Sequence, residues 1–441
     1  MHRYNNYKET GIKWLGKIPL QWEISRIKAV TQLKIVKNKP NERLLSIYRE
    51  HGVVYKDSRS DNHNVESEDL TNYKYVEPNN LVINKMKAWQ GSLAISGYRG
   101  IISPAYIICS VNEKKVFPRF LHYLLRSHGY IAAYNSISYG VRVGQWDMRY
   151  DDFRNLPLLL PPYQVQKDIV SFLDNKTKEI QQLIETKKVM IGELEKYKRS
   201  FITKYVTKGL NKNHEYVKSK IEWIGEVPKN WGVEPLFSVM NKKLVKNTNN
   251  VEQNVLSLSY GKIKKRNVET NFGLLPDSFE TYQIVDVNDI VLRLTDLQND
   301  KKSLRVGLVK EKGIITSAYV CLNIKEKLNP EYAYYLLHSY DLQKVFYGLG
   351  AGVRQSMKFE DLRKIPLLIP PHSEQKEIVN YLETKVNNIE KSIDILQMQI
   401  GKLNYYQKAL ITKIVTGKLS ISENATGEGI ADANRYVRTR D

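Results

Sequence analysis

The sequence is poor in the residues that stabilise small secreted proteins and membrane proteins. Only two of its 441 residues are cysteine, Cys109 and Cys321, and each lies in an apolar, strand-like run. Two cysteines cannot build a disulfide framework, and no apolar stretch approaches the roughly 20 residues that a membrane-spanning helix requires. The sequence therefore predicts two buried thiols and a protein of the reducing cytoplasm.

The signatures of common catalytic sites are also missing. The eight histidines are scattered without metal-ligand spacing, and neither a G-x-x-x-x-G-K-[ST] loop nor a glycine-rich cofactor loop after a strand is present. "LPPY" at 160–163 resembles the motif with which amino-methyltransferases hold a flipped base, but Leu160 replaces the polar residue that this motif requires. We therefore predict no catalytic residues and no metal site, and interpret the prolines as the end of a strand before a helix.

Acidic residues are outnumbered. The chain has 68 lysines and arginines against 47 aspartates and glutamates, which gives a formal net charge of +21. Such a balance favours a polyanionic partner, with nucleic acid ahead of a membrane surface. The alternative is that the charge only keeps the protein in solution.

What the sequence does contain is a long internal repeat. "LPLLLPPYQVQKDIVSFL" (156–173) and "IPLLIPPHSEQKEIVNYL" (365–382) are 209 residues apart. The same offset relates "GIKWLGKIPLQW" at 11 to "KIEWIGEVPKNW" at 220. Because solenoid units repeat every few tens of residues, this period indicates two duplicated domains of about 210 residues.

After each proline pair, apolar residues recur at heptad spacing, which predicts a coiled-coil helix in each repeat. The predicted seam consists of Ile169, Leu173, Ile180, Leu183, Met190 and Leu194, and of Ile378, Leu382, Ile389, Leu396, Leu403 and Leu410. Polar residues, among them Lys176, Lys187 and Gln399, are predicted to interrupt it. Chain connectivity favours antiparallel pairing of the two helices; the alternative is that each covers its own domain. About 45 residues at 1.5 Å each would span at most about 65 Å, near two turns of B-DNA.

The remaining segments mix strand-like runs with short helical ones. The predicted fold is therefore α/β (α+β): two globular domains in a pseudo-two-fold tandem repeat, separated by two long helices that form an antiparallel coiled coil. The predicted boundaries are 1–160 and 211–369 for the domains, 161–210 and 370–419 for the helices, and 420–441 for a flexible tail. The domain interiors diverge strongly, notably "SIYREHGVVYKDSRSDNHN" against "SLSYGKIKKRNVETNFG".

The candidate binding residues are basic and amide side chains in predicted loops. Lysine and arginine neutralise phosphates, while arginine reads guanine and glutamine or asparagine reads adenine at the major-groove edge. The predicted DNA-binding residues are Lys85, Lys87, Gln90, Arg142, Gln145, Arg149, Lys262, Lys264, Lys265, Arg266, Arg293, Gln298, Asn299, Lys301, Lys302, Arg354, Gln355 and Lys358. A solvated charged loop is the alternative for each of them.

Together, the paired "WLGKIPLQW" and "WIGEVPKNW" segments, "NKMKAWQG", "RLTDLQN", the proline motifs and "LITKIVTGKL" resemble the specificity subunit of type I restriction-modification enzymes. The resemblance covers nearly the whole chain apart from the tail. Between Arg142 and Phe153 the first repeat has three more residues than the second has between Arg354 and Leu362, so residue roles transfer poorly there.

The resemblance implies a non-catalytic subunit in which each globular domain reads one half of a split DNA sequence. It also implies that two methylation subunits dock on the helices and that restriction subunits join this core. S-adenosylmethionine, ATP and Mg would then belong to the partner subunits. Two alternatives remain: a self-contained DNA adenine methyltransferase, and a structural scaffold that binds DNA without sequence preference.

Overall fold

The computed structural model describes residues 2–59, 66–140, 146–266, 276, 278–297, 304–348 and 357–421. The chain forms two compact units, of which the first comprises Met1–Thr186 with Met398–Asp441 and the second Lys187–Gln397. Both unit boundaries fall within long helices, so each long helix contributes one half to each unit. The predicted residues Arg142, Gln145, Gln298, Asn299, Lys301, Lys302, Arg354 and Gln355 lie outside the described residues.

The first unit is built from short strands and three short helices before the first long helix. Its strands are β1 Tyr7–Glu9, β2 Lys17–Pro19, β3 Glu23–Arg26, β4 Thr31–Leu33, β5 Leu45–Tyr48, β6 Gly52–Tyr55, β7 Lys74–Val76, β8 Leu81–Asn84, β9 Leu93–Ile95, β10 Gly100–Ile102, β11 Tyr106–Val111, β12 Ser138–Tyr139, β13 Asp147–Met148 and β14 Pro157–Leu160. Its helices are α1 Pro118–Leu125, α2 His128–Ser136, α3 Tyr150–Arg154 and the long α4 Tyr163–Lys208, which ends in the second unit.

The second unit follows the same order. Its strands are β15 Tyr216–Lys218, β16 Glu226–Pro228, β17 Gly232–Pro235, β18 Met240–Lys243, β19 Leu256–Ser259, β20 Lys262–Lys265, β21 Gln283–Val285, β22 Ile290–Leu292, β23 Val306–Leu308, β24 Gly313–Ile315, β25 Val320–Ile324 and β26 Pro366–Ile369. Its helices are α5 Leu236–Val239, α6 Pro330–Leu342, α7 Val345–Gly348, α8 Phe359–Leu362 and the long α9 His372–Val415, which ends in the first unit.

The sheets of the two units match except for the pair β12 and β13, which has no counterpart among the described residues of the second unit. An antiparallel four-stranded sheet has the order β4-β11-β8-β9 in the first unit and β18-β25-β22-β23 in the second. Around it lie equivalent pairs, namely β3 with β14 and β17 with β26, β5 with β6 and β19 with β20, and β7 with β10 and β21 with β24. The two divergent segments singled out in the sequence both begin with the same hairpin, so the framework is shared further than the letters suggest.

The proline motifs end a strand and begin a helix in both units, as predicted. β14 ends at Leu160 and α4 begins at Tyr163, and the second copy repeats this arrangement. Gln166 accepts the Phe117 N–H at 2.7 Å and donates to the Pro161 carbonyl at 2.9 Å. Gln375, 209 residues later, makes the equivalent two bonds to Asn329 and Pro370. The repeated motif therefore preserves a buried strand-to-helix junction.

The long helices pair in antiparallel orientation, as predicted. In the second unit Lys198 bonds to Glu390 at 3.2 Å, and seven residues further along α4 the ring of Tyr205 lies 5.1 Å from that of Tyr381. Contacts thus move forward along α4 and backward along α9. In the first unit Leu173 shares a hydrophobic core with Leu410. Each pair of half-helices also packs on the core of its own unit.

The predicted seam is wrong at two positions. Leu183 and Met190 are 51% and 48% exposed, whereas Ile184 is 2% exposed. From Leu173 and Leu382 onward, one series of buried or half-buried residues runs at alternating steps of four and three in each helix, with further half-buried residues beside it. The series is Leu173, Thr177, Ile180, Ile184, Lys187, Ile191, Leu194, Lys198, Phe201 and Tyr205 in α4, and Leu382, Val386, Ile389, Ile393, Leu396, Ile400, Leu403, Gln407, Leu410 and Ile414 in α9.

The ambiguity arises because Leu183 and Ile184 are both apolar, so letters alone do not decide which of them faces the partner helix. The corrected seam places Thr177 and Ile400 where Lys176 and Gln399 were predicted. The other ten predicted seam residues are buried or half-buried. Among the described residues, no helix combines the length and the apolar character needed to cross a membrane.

Candidate nucleic-acid interface

In the first unit, the connection from β8 to β9 carries three of the predicted DNA-binding residues. Lys85, Lys87 and Gln90 lie in this loop, which turns through one 3-10 segment at Ala88–Gln90. Gly91 closes the turn with φ of 88°, and a Cβ there would lie 2.8 Å from Ile131 Cδ1. A side chain at position 91 would be strained and would displace the loop from helix α2.

A second segment, which ends at α3, is held against this loop. The Met148 N–H donates to the Lys85 carbonyl at 3.1 Å, and the Lys85 ammonium lies 3.1 Å from Asp147 Oδ2. The rings of Trp89 and Trp146 pack 5.1 Å apart. Exposed Arg149 occupies the N-cap position of α3 at the end of the same segment, without a side-chain capping bond. The structure thus joins two stretches, 85–90 and 146–149, that the sequence predicted separately.

The second unit repeats this arrangement at the same offset. The loop between β22 and β23 begins at Arg293, and the Met357 N–H donates to the Leu294 carbonyl at 3.0 Å. Both bonded residues are 209 positions after their counterparts Met148 and Lys85. Exposed Lys358 follows directly and caps α8. Each unit therefore brings a β-strand connection and the segment before a short helix together at one end of its four-stranded sheet.

The four basic residues predicted in "KIKKR" lie on or directly after β20, and they differ in their surroundings. Lys264 and Lys265 are exposed, and Arg266 is half-buried. Lys262 donates to Glu390 of α9 at 2.7 Å, and Glu390 also accepts from Lys198. Burial alone would raise the pKa of Glu390, but the two ammonium groups outweigh it and lower the pKa. The Lys262 ammonium is therefore paired with a carboxylate of α9, whereas Lys264 and Lys265 are exposed and have solvent around them.

The hairpin turns are fixed on helix α1 or α6 by different side chains. In the second unit the Tyr334 hydroxyl donates to the Gly261 carbonyl at 3.1 Å, and its ring stacks on His338. In the first unit Arg126 donates to the carbonyls of Arg49 and Leu93. The hairpin of each unit packs beside β9 or β23. Its position is therefore coupled to the connection that precedes that strand, from β8 to β9 or from β22 to β23, which carries predicted DNA-binding residues.

A fully buried arginine, Arg305, was not among the predicted residues. It stands immediately before β23, and its guanidinium donates to backbone carbonyls of the 293–296 segment. The signal available in the sequence was a charged residue directly before the apolar run "VGLV". From the sequence alone, a charged residue at this position predicts the end of an exposed loop. Only the structure shows that Arg305 is buried.

The arrangement can bind and read a polyanion, and nothing in the described residues suggests a catalytic centre around it. Exposed lysines and arginines can neutralise phosphates, and side chains on loops at the end of a rigid sheet can reach base edges. The described part of the chain has no group of three or more His, Cys, Asp or Glu side chains placed to hold a metal ion. Both cysteines are buried, and burial raises the pKa of Cys109 to about 12.

These features define a duplicated DNA-reading protein, in which two equivalent sheets present different loops. Residues 19–193 and 304–397 match the model of the type I restriction modification DNA specificity domain. This match extends over more than half of the chain. The chain belongs to that family and is a specificity subunit of a type I restriction-modification system. The alternatives of a self-contained methyltransferase and of a non-specific scaffold are not favoured.

Similar proteins align with this chain along nearly its full length and along nearly their own. The MjaVIII specificity subunit of Methanocaldococcus jannaschii is 25% identical over 437 residues, which cover 94% of this chain and 97% of that protein. A second protein of that organism, provisionally named as the MjaX specificity subunit, is 24% identical over 445 residues, covering 95% and 98%.

Solved structures show the same fold. The HsdS subunit from Thermoanaerobacter tengcongensis superposes with a TM-score of 0.52 at 15% identity, covering 91% of this chain and 98% of that one. A chain from a study of complex assembly and conformational transition of the type I R-M system superposes with a TM-score of 0.65 at 14% identity, covering 91% and 99%. The antiparallel helices and the two mixed domains are thus a shared architecture.

Proposed function

We propose that this chain selects a bipartite DNA sequence, with one half read by each globular domain, and that it catalyses no step itself. The carrying observation is the duplicated two-loop surface. The same main-chain bond joins the two loops at Met148 and at Met357, yet the side chains that the loops present differ. A shared frame with unlike loops suits the reading of two unlike half-sites.

The long helices would then set the length of DNA that is left unread between the halves. α4 has 46 residues and α9 has 44, which at 1.5 Å per residue gives about 65 to 70 Å for each helix. The spacing of four and three residues continues along the seam of both helices. A helix pair of constant length would leave a constant gap between the half-sites.

Exposed apolar residues on the same helices support docking of partner subunits. Leu183, Met398 and Tyr405 are exposed in the first unit, and Val189, Met190, Tyr197 and Ile395 are exposed in the second. Leu183, Met190 and Tyr197 are seven residues apart along α4, as are Met398 and Tyr405 along α9, so each set follows one face of its helix, and an apolar row of this kind is typical of an interaction surface. We assign them to two methylation subunits, around which restriction subunits assemble; S-adenosylmethionine, ATP and Mg would be bound by these partners.

A domain exchange tests the proposal. Residues 220–369 are replaced by the corresponding domain of another specificity subunit, the chain is co-expressed with its methylation subunit, and N6-methyladenine is mapped. We expect one half of the methylated motif to change while the other half and the gap stay constant. Exchange of residues 11–160 is the matched control and should change the other half. An unaltered motif after either exchange would contradict the proposal.

A further inference from the structure

The connections that leave β8 and β22 are equivalent but differ in length and closure. The Asn84 N–H donates to the Ser92 carbonyl at 2.9 Å, and the Arg293 N–H donates to the Arg305 carbonyl at the same distance. These paired bonds delimit residues 84–92 in one unit and 293–305 in the other, so the second connection is four residues longer. Residues 298–303 of it lie outside the described residues.

The short connection is closed by its own backbone. Gln90 and Ser92 both donate their N–H groups to the Lys87 carbonyl, and Gly91 donates to Ala88. No long side chain takes part in these bonds. Short-range backbone bonds therefore close this 3-10 turn, and the Trp89 indole adds one bond within the loop, to the Met86 carbonyl at 3.2 Å.

The longer connection is closed by a side chain. The Arg305 guanidinium donates through Nη1 to the carbonyls of Arg293 (3.2 Å) and Thr295 (2.7 Å), and through Nη2 to that of Asp296 (3.0 Å). Its Nε donates to the Tyr347 hydroxyl at 3.0 Å, and the guanidinium lies over the Tyr347 ring. Arg305 therefore satisfies three backbone carbonyls of the 293–296 segment with a single side chain.

Arg305 is itself anchored from behind. Its side chain is fully buried, and its backbone N–H donates to Asp341 Oδ2 at 2.6 Å. Asp341 is also fully buried, near the end of α6. The guanidinium is planar and presents its donors in a fixed fork, so it imposes one geometry on the carbonyls that it contacts. A lysine ammonium is a compact point charge and cannot reproduce that geometry.

We propose that Arg305 is a positioning residue for sequence discrimination by the second domain, which fixes the 293–297 segment so that Arg293 is presented in one orientation. This rests on the proposed function and deepens it. Arg293 is a predicted base or phosphate contact, and its backbone is held at both its N–H and its carbonyl by Arg305. Base discrimination requires a side chain placed to within fractions of an ångström, so a loosened loop should discriminate less.

The test uses Arg305→Lys in the complex with the methylation subunit. The wild-type motif is mapped first, and duplexes with single-base changes in each half then serve as methylation substrates. We expect discrimination at the half read by residues 220–369 to fall by roughly tenfold or more, because a well-oriented bidentate contact supplies discrimination of about that size. Discrimination at the other half should be unchanged. Arg363→Lys, at a half-buried arginine paired with Glu360, is the matched control and should behave as the wild type.

Tyr347→Phe provides a second variant, since it removes the hydroxyl that orients Nε and leaves the ring in place. It should relax the same half-site to a smaller extent, and it keeps the test usable if Arg305→Lys fails to fold. Unchanged discrimination in both variants, or equal relaxation at both halves, would overturn the proposal. A wild-type complex that methylates no split motif would instead contradict the proposed function, so the two failures are distinguishable.

Discussion

The two equivalent pairs of loops, 85–90 with 146–149 in the first unit and 293–297 with 357–358 in the second, show what a duplication keeps and what it changes. Strand order recurs in the two units, and the Met148 and Met357 bonds and the buried glutamines Gln166 and Gln375 recur 209 residues apart. The loops on this framework differ in length, in side chains and in their means of closure. The duplication therefore keeps the packing of the sheets and helices, and the loops that this framework holds in equivalent places differ.

The largest effect is expected where both units need a glycine for the framework. A Cβ on Gly313 would overlap the Asn254 carbonyl oxygen, and a Cβ on Gly100 would overlap that of Arg43. Gly313→Val and Gly100→Val should each lower the free energy of unfolding by about 3 kcal/mol or more, because backbone atoms cannot yield cheaply. Calorimetric unfolding would measure this. Gly97→Ala, which meets no atom within 4 Å, is the control, and unequal losses in the two units would break the comparison.

The next effect tests the corrected seam. Ile184→Ala should destabilise the protein by about 2 to 3 kcal/mol, since Ile184 is almost fully buried. Leu183→Ala would be equally destabilising if Leu183 lay in the seam, as the sequence predicted. Because Leu183 is exposed, the substitution should change the free energy of unfolding by less than about 0.5 kcal/mol. Denaturant unfolding of both variants would decide, and a larger loss for Leu183→Ala would contradict the seam. Weaker assembly of Leu183→Ala with methylation subunits would support docking there.

A smaller effect concerns acid stability. Burial, together with nearby cationic side chains, lowers the pKa of His122 to about 3 and the pKa of His338 to about 4. Both folded-state pKa values lie below the ordinary histidine value, so unfolding takes up protons. Stability is therefore fully present above about pH 6.5 and falls as the pH drops towards 4, by roughly 1 to 3 kcal/mol for each histidine.

Urea unfolding between pH 7 and pH 4 would measure this loss. The variants His122→Asn and His338→Asn should each show a shallower fall than the wild type over this range. If the slope of the free energy of unfolding against pH is unaffected by either substitution, the histidines are not the groups that take up these protons. A difference between the two variants would show which unit is the more sensitive to acid.

The smallest effect separates residues within the predicted DNA-binding set. Lys264→Ala or Lys265→Ala should each reduce the slope of log affinity against log salt by about 0.9 if the lysine contacts one phosphate. Lys262→Ala should reduce it less, because its ammonium is paired with Glu390. Salt titrations of the complex on duplex DNA would measure the slopes. Equal slopes for all three variants would show that the Glu390 pair does not hold Lys262 away from DNA.

Much of this framework could be predicted from the sequence, because a repeat of 209 residues marks whatever both copies must preserve. The strand-to-helix junctions at the proline motifs and the antiparallel helices were predicted correctly. Within the domains, the number of residues between equivalent positions of the two repeats departs from 209. It does so partly because the loop 293–305 is four residues longer than its counterpart 84–92. The predicted helical segments 161–210 and 370–419 contain α4 and α9, but each compact unit takes half of each helix, and the predicted domain boundaries stay a prediction.

What the sequence could not predict depends on contacts in three dimensions. Adjacent apolar residues at 183 and 184 left the helix register open. The shared hairpin escaped notice because its strands keep few identical residues. The burial of Arg305 and the pairing of Lys262 with Glu390 join residues that are far apart in the chain, so neither leaves a local pattern.

The central claim is that one duplicated frame carries two different DNA-reading domains, each of which selects one half of a split sequence. It is tested most directly by co-expressing this chain with its methylation subunit and mapping N6-methyladenine across the host genome by long-read sequencing. The account predicts a single motif made of two unlike halves with a constant gap. Methylation at an unsplit motif, at two identical halves or at no motif by an assembled complex would contradict it.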